Sequence, residues 1–201
     1  MKSELMELDI NDVRKLSLQL AQKVTETPDL VAFVAKGAYL IGLTTAEYFH
    51  APLIEVEAVR SGNRLKKILR PMLTVLPAGV KVWLRNKEIN SGIHAQNTER
   101  CVAINDPKRL IGENFRSILL VDDSVDTGNT ILAVEDALQK AFPQAQILTA
   151  AFFVREESKS LVTIDYSLYG DTVFSAPWSN DSRYKKEFMA EYSMMKDKGV
   201  F

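Results

Sequence analysis

One cysteine, two histidines and no long apolar run leave this 201-residue chain short of most features that announce a function. Cys101 alone cannot close an internal disulfide, so a disulfide-stapled scaffold is excluded, and at the start of a short apolar run it reads as a small buried residue rather than a nucleophile. His50 and His94 are far apart in the chain, no metal-ligand spacing surrounds them, and neither is assigned to a site. No stretch approaches the roughly 20 apolar residues needed to span a bilayer. The opening Met-Lys-Ser-Glu-Leu-Met-Glu also lacks the apolar core of a signal peptide, so a reducing, cytoplasmic setting is expected. A net charge of −1 gives no electrostatic reason to expect nucleic acid as a partner. Internal repeats and low-complexity linkers are missing too. With 46% hydrophobic and 25% charged residues, disorder and fibrous folds are disfavoured, and one well-buried domain over residues 1–201 is expected.

Periodicity supplies the architecture. Val13, Leu16, Leu20 and Val24 recur at helical spacing and predict an amphipathic helix over 8–25, with Asn11 as a candidate cap. Residues 30–35 read as a short apolar strand, 39–49 as a helix, and 53–59, 101–104 and 147–154 as further strands. Strands alternating with helices predict an α/β fold with a mainly parallel sheet flanked by helices. Ligands of such sheets sit at the carboxyl ends of the strands, so the loops at 36 and 122 should share one face.

The densest chemistry lies at 118–130, Ile-Leu-Leu-Val-Asp-Asp-Ser-Val-Asp-Thr-Gly-Asn-Thr. Four apolar residues suit a strand buried on both faces, and Ile131, Leu132, Val134 and Leu138 follow at helical spacing over 129–142. Between them, Thr127, Gly128, Asn129 and Thr130 stand where unpaired N–H groups and a helix dipole can hold a phosphate. Gly128 lets backbone approach it closely. Asp122 and Asp123 would repel a bare phosphate, yet they can accept hydrogen bonds from sugar hydroxyls. Together the features describe a ribose 5-phosphate.

This segment resembles the PRPP-binding loop of the type I phosphoribosyltransferases: an apolar strand, two acidic residues, three variable positions and Thr-Gly-x-Thr. The resemblance implies that fold, with a small hood at 163–190. It also implies that Asp122 and Asp123 bind the ribose hydroxyls, that Asp126 to Thr130 wrap the 5-phosphate, and that Asp126 takes a proton from the acceptor. Mg²⁺ is the implied cofactor, held mainly through substrate oxygens and water, with Asp122 and Asp123 as its protein residues, directly or through water or ribose. Ala35-Lys36-Gly37-Ala38 resembles the family's pyrophosphate loop, in which some members have a non-proline cis peptide, and Arg60 falls where the family often presents an arginine to PRPP. Lys36 and Arg60 would stabilise the leaving group.

Downstream, Leu148 to Arg155, Asp165-Tyr166 and Thr172-Val-Phe-Ser-Ala-Pro-Trp178 resemble the end of the purine enzymes of xanthine and microbial hypoxanthine type. Arg155 would then bond an exocyclic oxygen of the base, with Val173, Phe174 or Trp178 flanking its ring. Ser175 and Ala176 separate the phenylalanine from the proline, a departure from the family's Phe-Pro-Trp, and core packing is the alternative role for Phe174 and Trp178. Arg183 matches a further pyrophosphate arginine. Between Arg60 and Lys87 stand eight basic residues and no acidic one, interleaved with apolar residues and broken at Pro77-Ala78-Gly79, which predicts a helical insertion at about 61–88. A mobile loop carrying Lys66, Lys67 or Arg85 to the reacting centre, a dimer arm, and a membrane-surface helix all remain open for it. The reading as a whole is nucleotide salvage by a homodimer that takes PRPP and a purine base. A PRPP sensor without turnover, or a transferase with a non-nucleobase acceptor, stands as the alternative.

Overall fold

The computed structural model describes residues 6–60, 100–105, 113–172 and 174–201, with backbone alone at Met6 and Arg60. The insertion at 61–88 with its lysines and Arg85, and Val173, lie outside these residues. Six strands form one sheet in the order β4-β3-β2-β5-β6-β7: β2 Leu30–Val34, β3 Leu53–Arg60, β4 Arg100–Ile104, β5 Ser117–Val125, β6 Gln146–Val154 and β7 Tyr166–Tyr169. All neighbours pair parallel except β4, which runs antiparallel to β3 at the edge. Four helices, α1 Ile10–Lys23, α2 Tyr39–Phe49, α3 Asn129–Ala141 and α4 Lys185–Asp197, cover the sheet among the described residues. The sheet and its flanking helices are the expected α/β architecture.

Strand alternation divides the core into two layers. Val31, Phe33, Leu119 and Val121 point to one layer, where they meet Tyr39, Leu40, Phe188 and Tyr192 from α2 and α4. Leu30, Ala32, Ile118 and Leu120 point to the other, where Ile131, Val134 and Leu138 of α3 cover them. Burial on both faces explains why β2 and the start of β5 are unbroken apolar runs. Helix α1 is capped by Asp9 rather than Asn11: the Asp9 side chain accepts from the N–H of Asp12, and the Asp12 side chain accepts from that of Asp9. The two carboxylates each satisfy one otherwise unpaired donor, an exchange that Asn11, already inside the first turn, could not make as a cap. Cys101 in β4 is half-buried, not buried as its sequence context suggests.

The C-terminal helix closes the α2 layer with an aromatic cluster, in which Tyr39 lies edge-on to Phe188 and Tyr192, and Phe201 edge-on to Phe33. Beneath it lies Glu55 of β3, fully buried, which accepts from the Tyr192 hydroxyl, the Asn105 amide and, at 2.5 Å, Lys196 Nζ. Burial and the neighbouring Glu55 push the Tyr192 hydroxyl up to about 12. Burial pulls the other way on Lys196, but its bond to Glu55 outweighs that and holds the ammonium above its ordinary range. Lys196→Met should therefore cost about 1 to 3 kcal/mol, the penalty for leaving a buried charged acceptor short of a partner, discounted because the lysine head is partly solvated. Denaturant unfolding checks this, and unchanged stability would mean that Tyr192 and Asn105 suffice for Glu55.

Beside the main sheet, a two-stranded sheet joins β1 Met6–Glu7 in parallel to β8 Phe174–Ser175. Leu8 N–H extends it by donating to the Ser175 carbonyl at 2.8 Å.

Candidate active site

Strand order reverses between β2 and β5: β2 leads through α2 to β3 on one side, and β5 leads through α3 to β6 on the other. The carboxyl ends of β2 and β5 thus frame a crevice of the kind in which open α/β sheets bind ligands. Both loops singled out from the sequence end there, and they touch. A methyl group added at Gly37 would fall 2.8 Å from Asp123 Cγ, so a side chain at 37 would displace the carboxylate. The Ala35–Lys36 peptide in this loop is cis.

Strand β5 continues through both carboxylates to Val125, because its ladder with β6 persists in the pairs Asp122–Ala151, Ser124–Phe153 and Val125–Val154. Pleating then sends neighbouring side chains to opposite faces. Asp122 lines a cavity of about 170 Å³ with Asp126, Thr127, Gly128 and Thr130. Asp123 instead meets Gly37 and accepts from Trp178 Nε1 at 2.7 Å. Burial, and then the charge of Asp123, raise the Asp122 carboxyl well above the usual carboxylate range; burial raises Asp123 too, against the hydrogen bonds that favour its charge.

At the far end of the cavity, Gly128 caps α3 in the left-handed region at φ 82°. A side chain there would be strained by the backbone and would strike Val162 at 2.7 Å, so glycine is required twice over. No side chain caps α3, which leaves its first N–H groups directed at the cavity, with Asn129 Nδ2 donating to Thr127 Oγ1 at 2.9 Å beside them. Arg100 also lines the cavity. Sequence reading missed it, although it is the cross-strand partner of Arg60. That pairing needs the antiparallel register of β4, which no residue pattern revealed.

The remaining candidates lie around this centre. Lys36 is exposed, with its ammonium 5.5 Å from the Tyr192 ring centroid. Arg155 stands at the end of β6, 3.8 Å from Asp171. Phe174 is half-buried and stacks on Phe153 at 3.8 Å with 10° between the planes, and Trp178 tilts against Phe188 at 5.6 Å. Arg183 reaches Glu7 at 3.6 Å and covers the Tyr184 ring, away from the cavity residues. The backbone of Arg60 ends β3.

Residues 6–181 match the model of the phosphoribosyl transferase domain, and the chain belongs to that family. Its fold is shared with a Helicobacter pylori xanthine-guanine-hypoxanthine phosphoribosyltransferase, at 17% identity and a TM-score of 0.60 over 92% of this chain and 99% of that one. A purine phosphoribosyltransferase from Pyrococcus horikoshii is similar at 17% identity and TM-score 0.56, covering 88% and 95%. A Neisseria gonorrhoeae protein solved with bound ppGpp is similar at 13% identity and TM-score 0.56, covering 96% and 98%. No curated protein sequence matches the chain.

Proposed function

We propose that this protein transfers the 5-phosphoribosyl group of PRPP to a ring nitrogen of a nucleobase, a 6-oxopurine in first place, with release of pyrophosphate. The observation that carries the reading is the cavity between Asp122 and the uncapped start of α3. One end offers a carboxylate to sugar hydroxyls, and the other offers N–H groups and hydroxyls to a phosphate. In the reaction the bond from C1 to pyrophosphate breaks, positive charge builds on the ribose ring, and the base nitrogen closes on C1. Asp122 and Asp123 hold the sugar and lend negative potential, Thr127 to Thr130 anchor the 5-phosphate, and Asp126 accepts the proton from the base. Lys36, turning from Tyr192, and Arg60 receive the pyrophosphate, while Arg100, which lines the cavity with the 126–131 loop, adds positive charge beside the 5-phosphate. On the acceptor side, Arg155 and the segment 173–178 contact the base.

The donor set suits Mg²⁺ of the kind bound mainly through substrate oxygens and water, with Asp122 and Asp123 as the nearby carboxylates. Among the described residues, no group of three or more His, Cys, Asp or Glu side chains forms a dedicated cage. Bound with PRPP, the ion supplies positive charge against the leaving group. A cytoplasmic homodimer is the setting proposed.

A second reading, a sensor that binds PRPP or a nucleotide without turnover, draws on the acceptor side. Phe174 and Trp178 are already engaged by Phe153 and Asp123, and the similar Neisseria protein carries ppGpp. Pyrophosphate release with Mg²⁺ and PRPP against hypoxanthine, guanine, xanthine, adenine, uracil and orotate separates the two. Turnover with one base is the expected result; PRPP binding with silence on all six would favour the sensor.

A further inference from the structure

Three separate stretches of chain meet at one carboxylate. Asp123 extends from β5, Gly37 of the 35–38 loop presses on its Cγ, and Trp178 donates its indole N–H to Oδ2 at 2.7 Å. The indole has a single donor, and its direction is fixed by how the ring is packed. Here the ring lies against the fully buried Phe188, while Ala176 is fully buried and its N–H donates to Ser179 Oγ at 3.2 Å, which holds the turn. The turn follows directly from β8, which is paired to β1. The orientation of the Trp178 ring and that of the Asp123 carboxylate are therefore set together, and Gly37 blocks the carboxylate from turning toward the loop.

We propose that Trp178 is a positioning residue of the sugar site: by donating to Oδ2 of Asp123 it fixes the carboxylate that the PRPP reading gives to the ribose, and it couples the hood segment 174–184 to occupancy by PRPP. The inference rests on the PRPP reading given above. It assigns the indole edge to the donor substrate, where the sequence resemblance assigns the ring face to the base. It also explains why a tryptophan is used, since phenylalanine could fill the same space without a donor.

Hydrogen exchange with and without PRPP and Mg²⁺ tests this in the wild-type protein and in Trp178→Phe, which keeps a ring against Phe188. In the wild type, PRPP should slow exchange both at 126–131 and at 174–184. In Trp178→Phe, protection at 126–131 should survive, protection at 174–184 should be lost, and PRPP should bind about tenfold more weakly, the low end for losing a hydrogen bond to a charged group. An unchanged hood response with affinity within about twofold would overturn the inference while leaving the PRPP reading intact. No PRPP-dependent protection at 126–131 in the wild type would instead overturn the PRPP reading, and this inference with it. Should Trp178→Phe fail to fold, Gly37→Ala decides: its methyl would displace Asp123, so loss of the hood response with protection at 126–131 retained supports the coupling, and a wild-type hood response overturns it.

Discussion

Replacing Asp126 by asparagine should lower turnover by about 10² to 10⁴, the usual worth of a general base. The side chain is exposed at the cavity, so folding does not depend on it. Asparagine keeps its shape and its hydrogen-bonding oxygen but cannot take up a proton. PRPP is held by the sugar carboxylates and by backbone N–H groups that the substitution leaves in place, so its affinity should stay within about twofold. Steady-state kinetics with the best base, paired with calorimetric titration of PRPP, measures both quantities. Equal losses in binding and turnover would move Asp126 from proton acceptor to simple phosphate-loop support.

Asp122→Asn should separate stability from function in the opposite way. Asp122 is buried beside Asp123, and burial together with that neighbouring charge disfavours its ionised form. A carboxyl whose pKa is raised by folding stabilises the protein most below its unfolded value, and that contribution is lost as pH rises through the folded value. At neutral pH the charge thus opposes folding, and asparagine should raise the melting temperature. The gain should shrink as pH falls and wild-type Asp122 takes up its own proton. PRPP affinity should meanwhile fall roughly 10- to 100-fold, because a charged acceptor for a sugar hydroxyl is replaced by a neutral one. Thermal melts from neutral to acid pH, with calorimetry on the same samples, check both directions; a less stable variant that still bound PRPP normally would remove Asp122 from the sugar site.

How much of this was legible beforehand depended on whether the physics is local. The unit from β5 through Gly128 to α3 could be read because each step imposes its own residue types: apolar residues on a doubly covered strand, glycine at positive φ, and helical periodicity after it. The end of β5 was placed at Val121, four residues before its observed end at Val125. Asp122, Asp123 and Ser124 look like loop, and only the ladder to β6 keeps them extended, a long-range constraint that composition does not carry. That difference hid the splitting of the two carboxylates onto opposite faces. Strand β7, the β1–β8 pairing and α4 went unread for a related reason, since two of these strands are only two residues long and the value of α4 lies in contacts across the chain. Glu55 within β3 carries no local signal, and its burial is explained by Tyr192, Lys196 and Asn105, which are far from it in sequence. Arg100 was hidden by the same distance, because its place at the cavity follows from pairing with Arg60 across the whole insertion.

The division of Asp122 from Asp123 has a consequence for how such a protein can change. The phosphate cradle is built on the layer covered by α3, while the indole latch, the 35–38 loop and the C-terminal helix belong to the other layer. One sheet separates them, and the neighbouring carboxylates of β5 bridge it. Substitutions in the α4 layer leave the phosphate cradle in place, whereas those that shift the indole latch reach the donor sugar through Asp123. A lineage can therefore inherit the phosphate cradle unaltered while the opposite layer adjusts both the acceptor and the set of the sugar carboxylate.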